Sequence, residues 1–105
     1  MQNKFLSSLG LAKRAGRAVV GTDAVRDTMK SKKAKMVIVA SDVSDNTRKE
    51  ILDTSVYYGA EAVIVPYTMS ELSHALGKMS LVACVAITDI SLTTLVKNSL
   101  EHQEV

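Results

Sequence analysis

The chain has 105 residues, of which 47% are hydrophobic, and a formal net charge of +2. This length allows one ordinary domain, and the apolar fraction is sufficient to give that domain a core. No segment approaches the roughly 18 uninterrupted apolar residues of a membrane-spanning helix, and residues 1–7 lack the apolar stretch of a secretion signal. We therefore expect a single-domain cytoplasmic protein that does not contact a membrane.

The charge is distributed unevenly along the chain. Residues 1–35 contain nine Lys or Arg and two acids, whereas residues 36–105 contain four Lys or Arg and nine acids. Lys and Arg gain affinity for polyanions because they displace counterions that are condensed on phosphates. The segregation favours a nucleic-acid surface on one side of the fold, and a solvated helix face is the alternative.

The first predicted element is a helix with apolar residues at helical spacing, namely Phe5, Leu6, Leu9 and Ala12. Gly16 ends this helix, because glycine readily adopts the left-handed conformation that follows many helices. A short strand from Arg17 to Val20 is expected to join the sheet.

The second predicted helix covers residues 24–33 and follows a glycine turn at Gly21. Thr22 or Asp23 is expected to cap its N-terminus. Val25 and Met29 lie one turn apart, and this spacing predicts that both face the core.

Basic residues line another face of the same helix. Arg26, Lys30 and Lys33 follow a four-then-three spacing, which places them on one stripe. The helix N-terminus exposes amide donors, so the stripe and the amides together would suit a phosphate backbone. The alternative is that these side chains only keep a surface helix soluble.

Three short apolar runs rich in β-branched residues predict strands that are buried on both faces: 35–40, 62–66 and 81–88. Helical segments separate these runs. Alternating helices and strands favour an α/β fold, with helices on both sides of one sheet.

The later helices have clear start and stop signals. The third predicted helix has an apolar face at helical spacing and ends at Gly59; the residues of this face are Ile51, Leu52, Ser55 and Val56. Residues 68–71 have the spacing of a capping box, and Gly77 ends the short helix that follows. Asp89 is expected to cap a last helix that reaches about Leu100.

Side chains suited to catalysis are few. Cys84 lies in an apolar run and is expected to be a buried, inert thiol. His74 and His102 have no Cys or His partner at zinc spacing, so we expect them to be ordinary surface residues. Residues 16–21 contain two glycines without the Gly-Lys-Ser/Thr end of a P-loop.

The chain resembles the L7Ae/L30e family of kink-turn RNA-binding ribosomal proteins, and in particular its bacterial YlxQ-like branch. The resemblance rests on collinear segments that together extend over about ninety residues: 9–16, Gly21, 34–44, 65–67, 71–72, 75–78 and 86–89. It implies a three-layer α-β-α sandwich around a small mixed four-stranded sheet. It also implies a partner that is structured RNA, ribosomal or otherwise kinked, and an association with the ribosome.

The resemblance further implies where the RNA lies. One side of the site would be the Gly21 turn and the second helix, with Thr22, Asp23, Arg26, Lys30 and Lys33. The other side would be the loop after Gly77, with Lys78, Met79 and Ser80. In the family, apolar residues of this loop cover an extruded base. Met79 is therefore expected either to pack on an unstacked base or, as methionines commonly do, to fill a gap in the core.

The second helix departs from the family pattern at its reading positions. The family uses an Asn-Glu pair, followed three residues later by a Lys, to read sheared G·A pairs. This chain has Asp23 and Ala24 at the pair and Asp27 at the Lys position. Ala24 has no acceptor for a guanine edge and Asp27 would repel phosphate, so general RNA binding carries over better than kink-turn specificity. Arg26 is the candidate substitute reader.

Other classes of function remain open. The acidic half, residues 36–105, would suit a small protein-interaction module of a translation-associated assembly. An enzyme could share the α/β layout. Asp42, Asp45 and Asp53 are the acids that a magnesium site would need, but acids near Ser44 at a helix start are explained by capping. We expect a non-catalytic monomer with no cofactor and no metal.

Overall fold

The computed structural model describes residues 3–101, with side chains described as far as Leu100. The elements in chain order are α1 Lys4–Arg14, β1 Ala18–Val20, α2 Thr22–Lys30, β2 Met36–Val39, α3 Asp45–Tyr58, β3 Ala62–Ile64, α4 Met69–Ala75, β4 Cys84–Ile87 and α5 Ile90–Glu101.

The four strands form one mixed sheet in the order β1-β4-β2-β3. Both β1 and β2 pair antiparallel with β4, whereas β3 runs parallel to β2. The C-terminal ends of β1 and β2 therefore lie beside the N-terminal end of β4. We call this the Gly21 end of the sheet, and we call the opposite end, where the chain leaves β4, the Ile87 end.

Helices cover both faces of the sheet. The first helix, α1, packs against α4, α5 and β1, whereas α2 packs against α3, β1 and β4. The predicted three-layer α-β-α sandwich around a mixed four-stranded sheet is confirmed. Every residue of β2 and β4 is buried because these two strands are central and have helices on both faces.

The third strand is less buried than the sequence predicts. Ala62 and Val63 are partly buried and Ile64 is exposed, because β3 lies at the sheet edge with only β2 as a neighbour. The fourth strand also differs, since it begins at Cys84 instead of Leu81. Leu81 is exposed in the connection from α4.

Local signals define most helix ends as predicted. Gly16 and Gly59 both have φ 72°, and Thr68 and Glu71 form the capping box. Asp89 accepts a hydrogen bond from the Leu92 amide at 2.9 Å. On α3, however, Ile51 and Ser55 are buried whereas Val56 is exposed, so the face that packs on the core is narrower than the predicted stripe.

Candidate nucleic-acid interface

A backbone hydrogen bond links the turn before α2 to the connection that enters β4. The Gly21 amide donates to the Cys84 carbonyl at 3.2 Å, one residue beyond the pairing of Val20 with Val85. The start of α2 and the connection after Gly77 therefore meet at the Gly21 end of the sheet. These are the two segments that the family resemblance implies as the sides of an RNA site.

The start of α2 is not capped as predicted. Gly21 occupies the N-cap position with φ 105° and ψ 150°, and within the described chain no side chain caps the helix. The expected cap by Thr22 or Asp23 is therefore wrong. The carboxylate of Asp23 instead accepts a hydrogen bond from Arg26. The amides of the first turn thus lack a side-chain acceptor, which is the arrangement that binds phosphate at helix N-termini.

The connection from α4 to β4 presents apolar side chains to solvent. Met79 is fully exposed, with a relative exposure of 104%, and Leu81 is 65% exposed. Met79 therefore does not fill a gap in the core, which was one of its two predicted roles. The Ser73 hydroxyl lies 3.0 Å from the Lys78 carbonyl and 2.6 Å from the Ser80 carbonyl. These contacts hold the backbone on both sides of Met79.

The predicted substitute reader, Arg26, is engaged by two carboxylates. It donates to Asp23 at 3.0 Å and also forms an ion pair with Glu50 of α3. The Glu50 carboxylate raises the pKa of Arg26, with a smaller contribution from Asp23. Ala24 and Asp27 are both exposed. A nucleic acid at this position would therefore meet one cation that already has acidic partners.

The predicted basic stripe is divided between the two ends of the sheet. Helix α2 ends at Lys30 instead of continuing to Lys33, because Lys32 adopts the left-handed conformation with φ 64°. The backbone then reaches β2, where the Lys35 amide donates to the Ile87 carbonyl at 2.8 Å. The nine residues of α2 span about 13 Å. Lys30 and Lys33 therefore lie towards the Ile87 end, away from Gly21.

The other residues considered for catalysis or metal binding are Cys84, His74, His102 and Asp42. Cys84 is buried as predicted, and burial raises the pKa of its thiol to about 11. His74 is exposed on α4, whereas His102 lies outside the described residues. Asp42 accepts a hydrogen bond from the Met69 amide at 2.7 Å, at the start of α4. Among the side chains described, residues 3–100, no group of three or more His, Cys, Asp or Glu is placed to hold a metal ion.

No helix within the described part of the chain is long and apolar enough to cross a membrane.

Comparison with protein families and curated relatives gives consistent matches. The model of the "Ribosomal protein L7Ae/L30e/S12e/Gadd45 family" matches residues 3–96. The chain is 34% identical over 77 residues to the RNA-binding protein YlxQ of Enterococcus faecium, covering 73% of this chain and 74% of the relative. It is 39% identical over 85 residues to the RNA-binding protein YlxQ of Bacillus subtilis, covering 77% and 79%.

Solved structures share the fold. A protein of unknown function from Bacillus halodurans superimposes with a TM-score of 0.87 at 26% identity, covering 96% of this chain and all of that one. The 15.5 kD RNA-binding protein of Giardia lamblia superimposes with a TM-score of 0.76 at 16% identity, covering 96% and 85%. At that identity the second likeness supports the fold alone.

Proposed function

Because the chain belongs to the ribosomal protein L7Ae/L30e/S12e/Gadd45 family, we propose that it binds structured RNA, ribosomal or kinked, and catalyses no reaction. The observation that carries this proposal is the hydrogen bond from Gly21 to Cys84. It brings the uncapped start of α2 next to the connection that presents Met79. Two relatives at 34% and 39% identity are RNA-binding proteins, which supports the same function.

Each side of this site would contribute a different contact. The first-turn amides of α2 would donate to a phosphate, which the positive end of the helix dipole also stabilises. Met79 and Leu81 are exposed and apolar, so they would cover a base that has left the stack. Lys78 and Ser80 flank Met79 and would contact the backbone of the same nucleotide.

The side chains at the start of α2 set the expected specificity. Ala24 has no acceptor for a guanine edge, and the carboxylate of Asp27 is exposed where a cation would favour RNA. We therefore propose that the chain binds structured RNA with weaker preference for a standard kink-turn than relatives that carry Asn, Glu and Lys at the corresponding positions.

The test is a titration of a kink-turn duplex and an unkinked duplex with wild type and with Ala24→Glu/Asp27→Lys. Both positions are exposed, so the double replacement should fold normally. We expect kink-turn affinity to rise about tenfold or more, because contacts of this kind contribute on the order of 1–3 kcal/mol each. The replacement changes the net charge by one unit, and Asp53→Asn provides a control with the same change on α3.

Three results would contradict the proposal. The first is that wild type binds neither duplex, and the second is that Asp53→Asn strengthens binding as much as the double replacement does. The third is that wild type binds the kink-turn tightly and selectively and the double replacement leaves that affinity unchanged. The last result would mean that α2 reads the kink differently from our assignment.

We also propose that the protein acts as a cytoplasmic monomer that associates with ribosomal RNA. Sequencing the RNA that co-purifies with the tagged protein from cells would test the association with ribosomal RNA, with the Gly21→Ala variant as a control. Recovery of ribosomal or kinked RNA above that control is expected, and equal recovery of all cellular RNA would contradict it.

A further inference from the structure

An exposed tyrosine lies outside the site described above. The chain has one Phe and three Tyr, and Phe5 and Tyr67 are buried and stacked on each other with ring centroids 4.9 Å apart. The other two, Tyr57 and Tyr58, end α3 and meet edge to face at 4.8 Å. Tyr57 is 79% exposed. The ring of Tyr57 is therefore held from one side by Tyr58 and remains open to solvent.

This tyrosine pair lies beside the turn that joins α2 to β2. The Lys32 ammonium donates to the Tyr58 carbonyl at 3.3 Å, which links that turn to the end of α3. Shortly after Tyr58, the Glu61 carbonyl accepts from the Val37 amide at the start of β2. Tyr57 and Tyr58 therefore lie at the Ile87 end of the sheet, away from Gly21.

Several cationic side chains lie near the Ile87 end of the sheet. Five basic residues near this end are exposed and form no ion pair among the side chains described, residues 3–100: Arg17, Lys30, Lys32, Lys33 and Lys35. The Arg17 carbonyl accepts from Thr88, and the Lys35 amide donates to Ile87, so these two residues flank the end of β4. Neighbouring strands are about 4.8 Å apart, which places the two backbones about 10 Å apart.

Three acids lie near these cations, namely Glu61, Asp27 and Asp89, and they leave most of the positive charge uncompensated; Asp89 already accepts a hydrogen bond from the Leu92 amide. Glu61 is already paired with Lys97 at 2.8 Å. Asp27 lies one turn before Lys30 on α2 and is exposed. We call Tyr57 together with the five basic residues the distal surface.

Lys32 has a left-handed backbone conformation, which is unusual for lysine. The Lys32 amide donates to Met29 and the Lys33 amide to Thr28, both at 3.0 Å, which is the hydrogen-bond pattern of a Schellman motif. Glycine is usual at the left-handed position of this motif, yet the chain has a lysine there with φ 64°. The backbone therefore holds a cationic side chain next to the tyrosine pair at a position where that residue type is disfavoured.

We propose that the distal surface binds unpaired RNA, with a base stacked on Tyr57 and neighbouring phosphates contacted by Lys32, Lys33 and Lys35. An aromatic face combined with lysines is the arrangement that binds single-stranded nucleic acid without reading its sequence. The inference goes beyond the function proposed for the Gly21 end. The two surfaces lie at opposite ends of the sheet, so either assignment can fail alone.

The first experiment measures binding of a fluorescent oligouridine of roughly ten nucleotides, a length that one small binding surface can cover. Tyr57→Ala should weaken binding by about five- to hundredfold, because stacking of one base contributes that much. Tyr57→Phe keeps the ring and should bind like wild type. Val56→Ala is the matched control, since Val56 precedes Tyr57 on α3 and is 81% exposed. It should leave the affinity unchanged, and no Tyr57 variant should alter binding of a short-stemmed kink-turn duplex.

The second experiment uses Lys32→Gly to separate folding from binding. Glycine suits the left-handed position, so the melting temperature should rise by a few degrees. Oligouridine affinity should nevertheless fall, and its dependence on log salt should become shallower by about one unit.

The proposal is overturned if Tyr57→Ala leaves oligouridine affinity unchanged or if Val56→Ala weakens it equally. It is also overturned if a polyglutamate peptide competes as well as the RNA does, because the surface would then bind acidic proteins. If wild type binds oligouridine but does not bind the kink-turn duplex, only the function proposed for the Gly21 end is contradicted.

Discussion

The amide of Gly21 donates a hydrogen bond to the carbonyl of Cys84 at 3.2 Å, and this contact joins the two sides of the proposed RNA site. The contact depends on a backbone conformation, φ 105° and ψ 150°, that side-chain-bearing residues rarely adopt. A Cβ at Gly21 would have no atom within 4 Å, so any cost of substitution comes from the backbone alone.

We predict that Gly21→Ala lowers the free energy of unfolding by about 1–3 kcal/mol and also weakens RNA binding, because the start of α2 shifts relative to Met79. Urea denaturation and an RNA titration measure the two effects. Gly16→Ala is a control at another positive-φ glycine, which should lose stability but keep RNA affinity. Unchanged stability of Gly21→Ala, or equal RNA losses in the two variants, would argue against this role for the turn.

Met79 is fully exposed, so its replacement separates binding from folding. Met79→Ala should weaken RNA binding by about 1 kcal/mol, the lower limit for contact with one base, while the melting temperature stays unchanged. Met29→Ala is the opposite case: Met29 is buried, and its truncation should lower stability by about 2–5 kcal/mol. Intact RNA affinity in Met79→Ala would remove this residue from the site.

The parts of the fold that the sequence predicted well are those with local signals. The capping box at Thr68 and the end of α3 at Gly59 depend on side chains and backbone within a few residues. The spacing of residue types in the sequence is therefore sufficient to predict both helix ends. The meeting of Gly21 with the connection after Gly77 was implied by resemblance to a family. The hydrophobic periodicity of the sequence does not predict this contact, because the contact depends on how β1 pairs with β4.

The errors arise where tertiary packing or unusual backbone decides the outcome. The end of α2 was misplaced because Lys32 takes a conformation for which lysine gives no sequence signal. The ion pair of Arg26 with Glu50 was missed because it joins residues 24 positions apart on two packed helices. The burial of β3 was overestimated because an edge strand and a central strand can have the same apolar composition.

Burial raises the pKa of the Cys84 thiol to about 11, which predicts a pH dependence of stability. The unfolded chain releases the thiol proton near its ordinary pKa of about 8.5, whereas the folded chain retains it to higher pH. The free energy of unfolding should therefore fall as pH rises between these values, by at most about 1.4 kcal/mol per pH unit, and the thiol should have no effect below that range.

Urea denaturation of wild type and Cys84→Ala across this alkaline range isolates the thiol, because the other titrating groups are shared. Cys84→Ala should be less stable near neutral pH, since a buried side chain becomes smaller, but its stability should decline less steeply with pH. Parallel declines in the two proteins would show that the thiol does not remain protonated in the fold.

The final prediction concerns the two carboxylates that engage Arg26. If the guanidinium contacts RNA, Arg26→Ala should cost on the order of 1–3 kcal/mol of binding free energy and relax the preference among RNA sequences. Glu50→Gln should act in the opposite direction and strengthen binding, because it removes a negative charge and frees the guanidinium to meet the RNA. Folding stability should change little in either variant, since ion pairs exposed to solvent contribute about 0–1 kcal/mol.

Titrations of one kink-turn duplex with wild type, Arg26→Ala, Glu50→Gln and the combined variant distinguish the possible roles. The gain from Glu50→Gln should disappear when Arg26 is also replaced, because that gain acts through the guanidinium. Lys33→Ala is the control, because Lys33 lies beyond the end of α2 at the Ile87 end and its replacement should leave binding of this duplex nearly unchanged. If Arg26→Ala binds like wild type, or if Glu50→Gln strengthens binding equally with and without Arg26, then Arg26 only joins α2 to α3 and RNA is read by other groups.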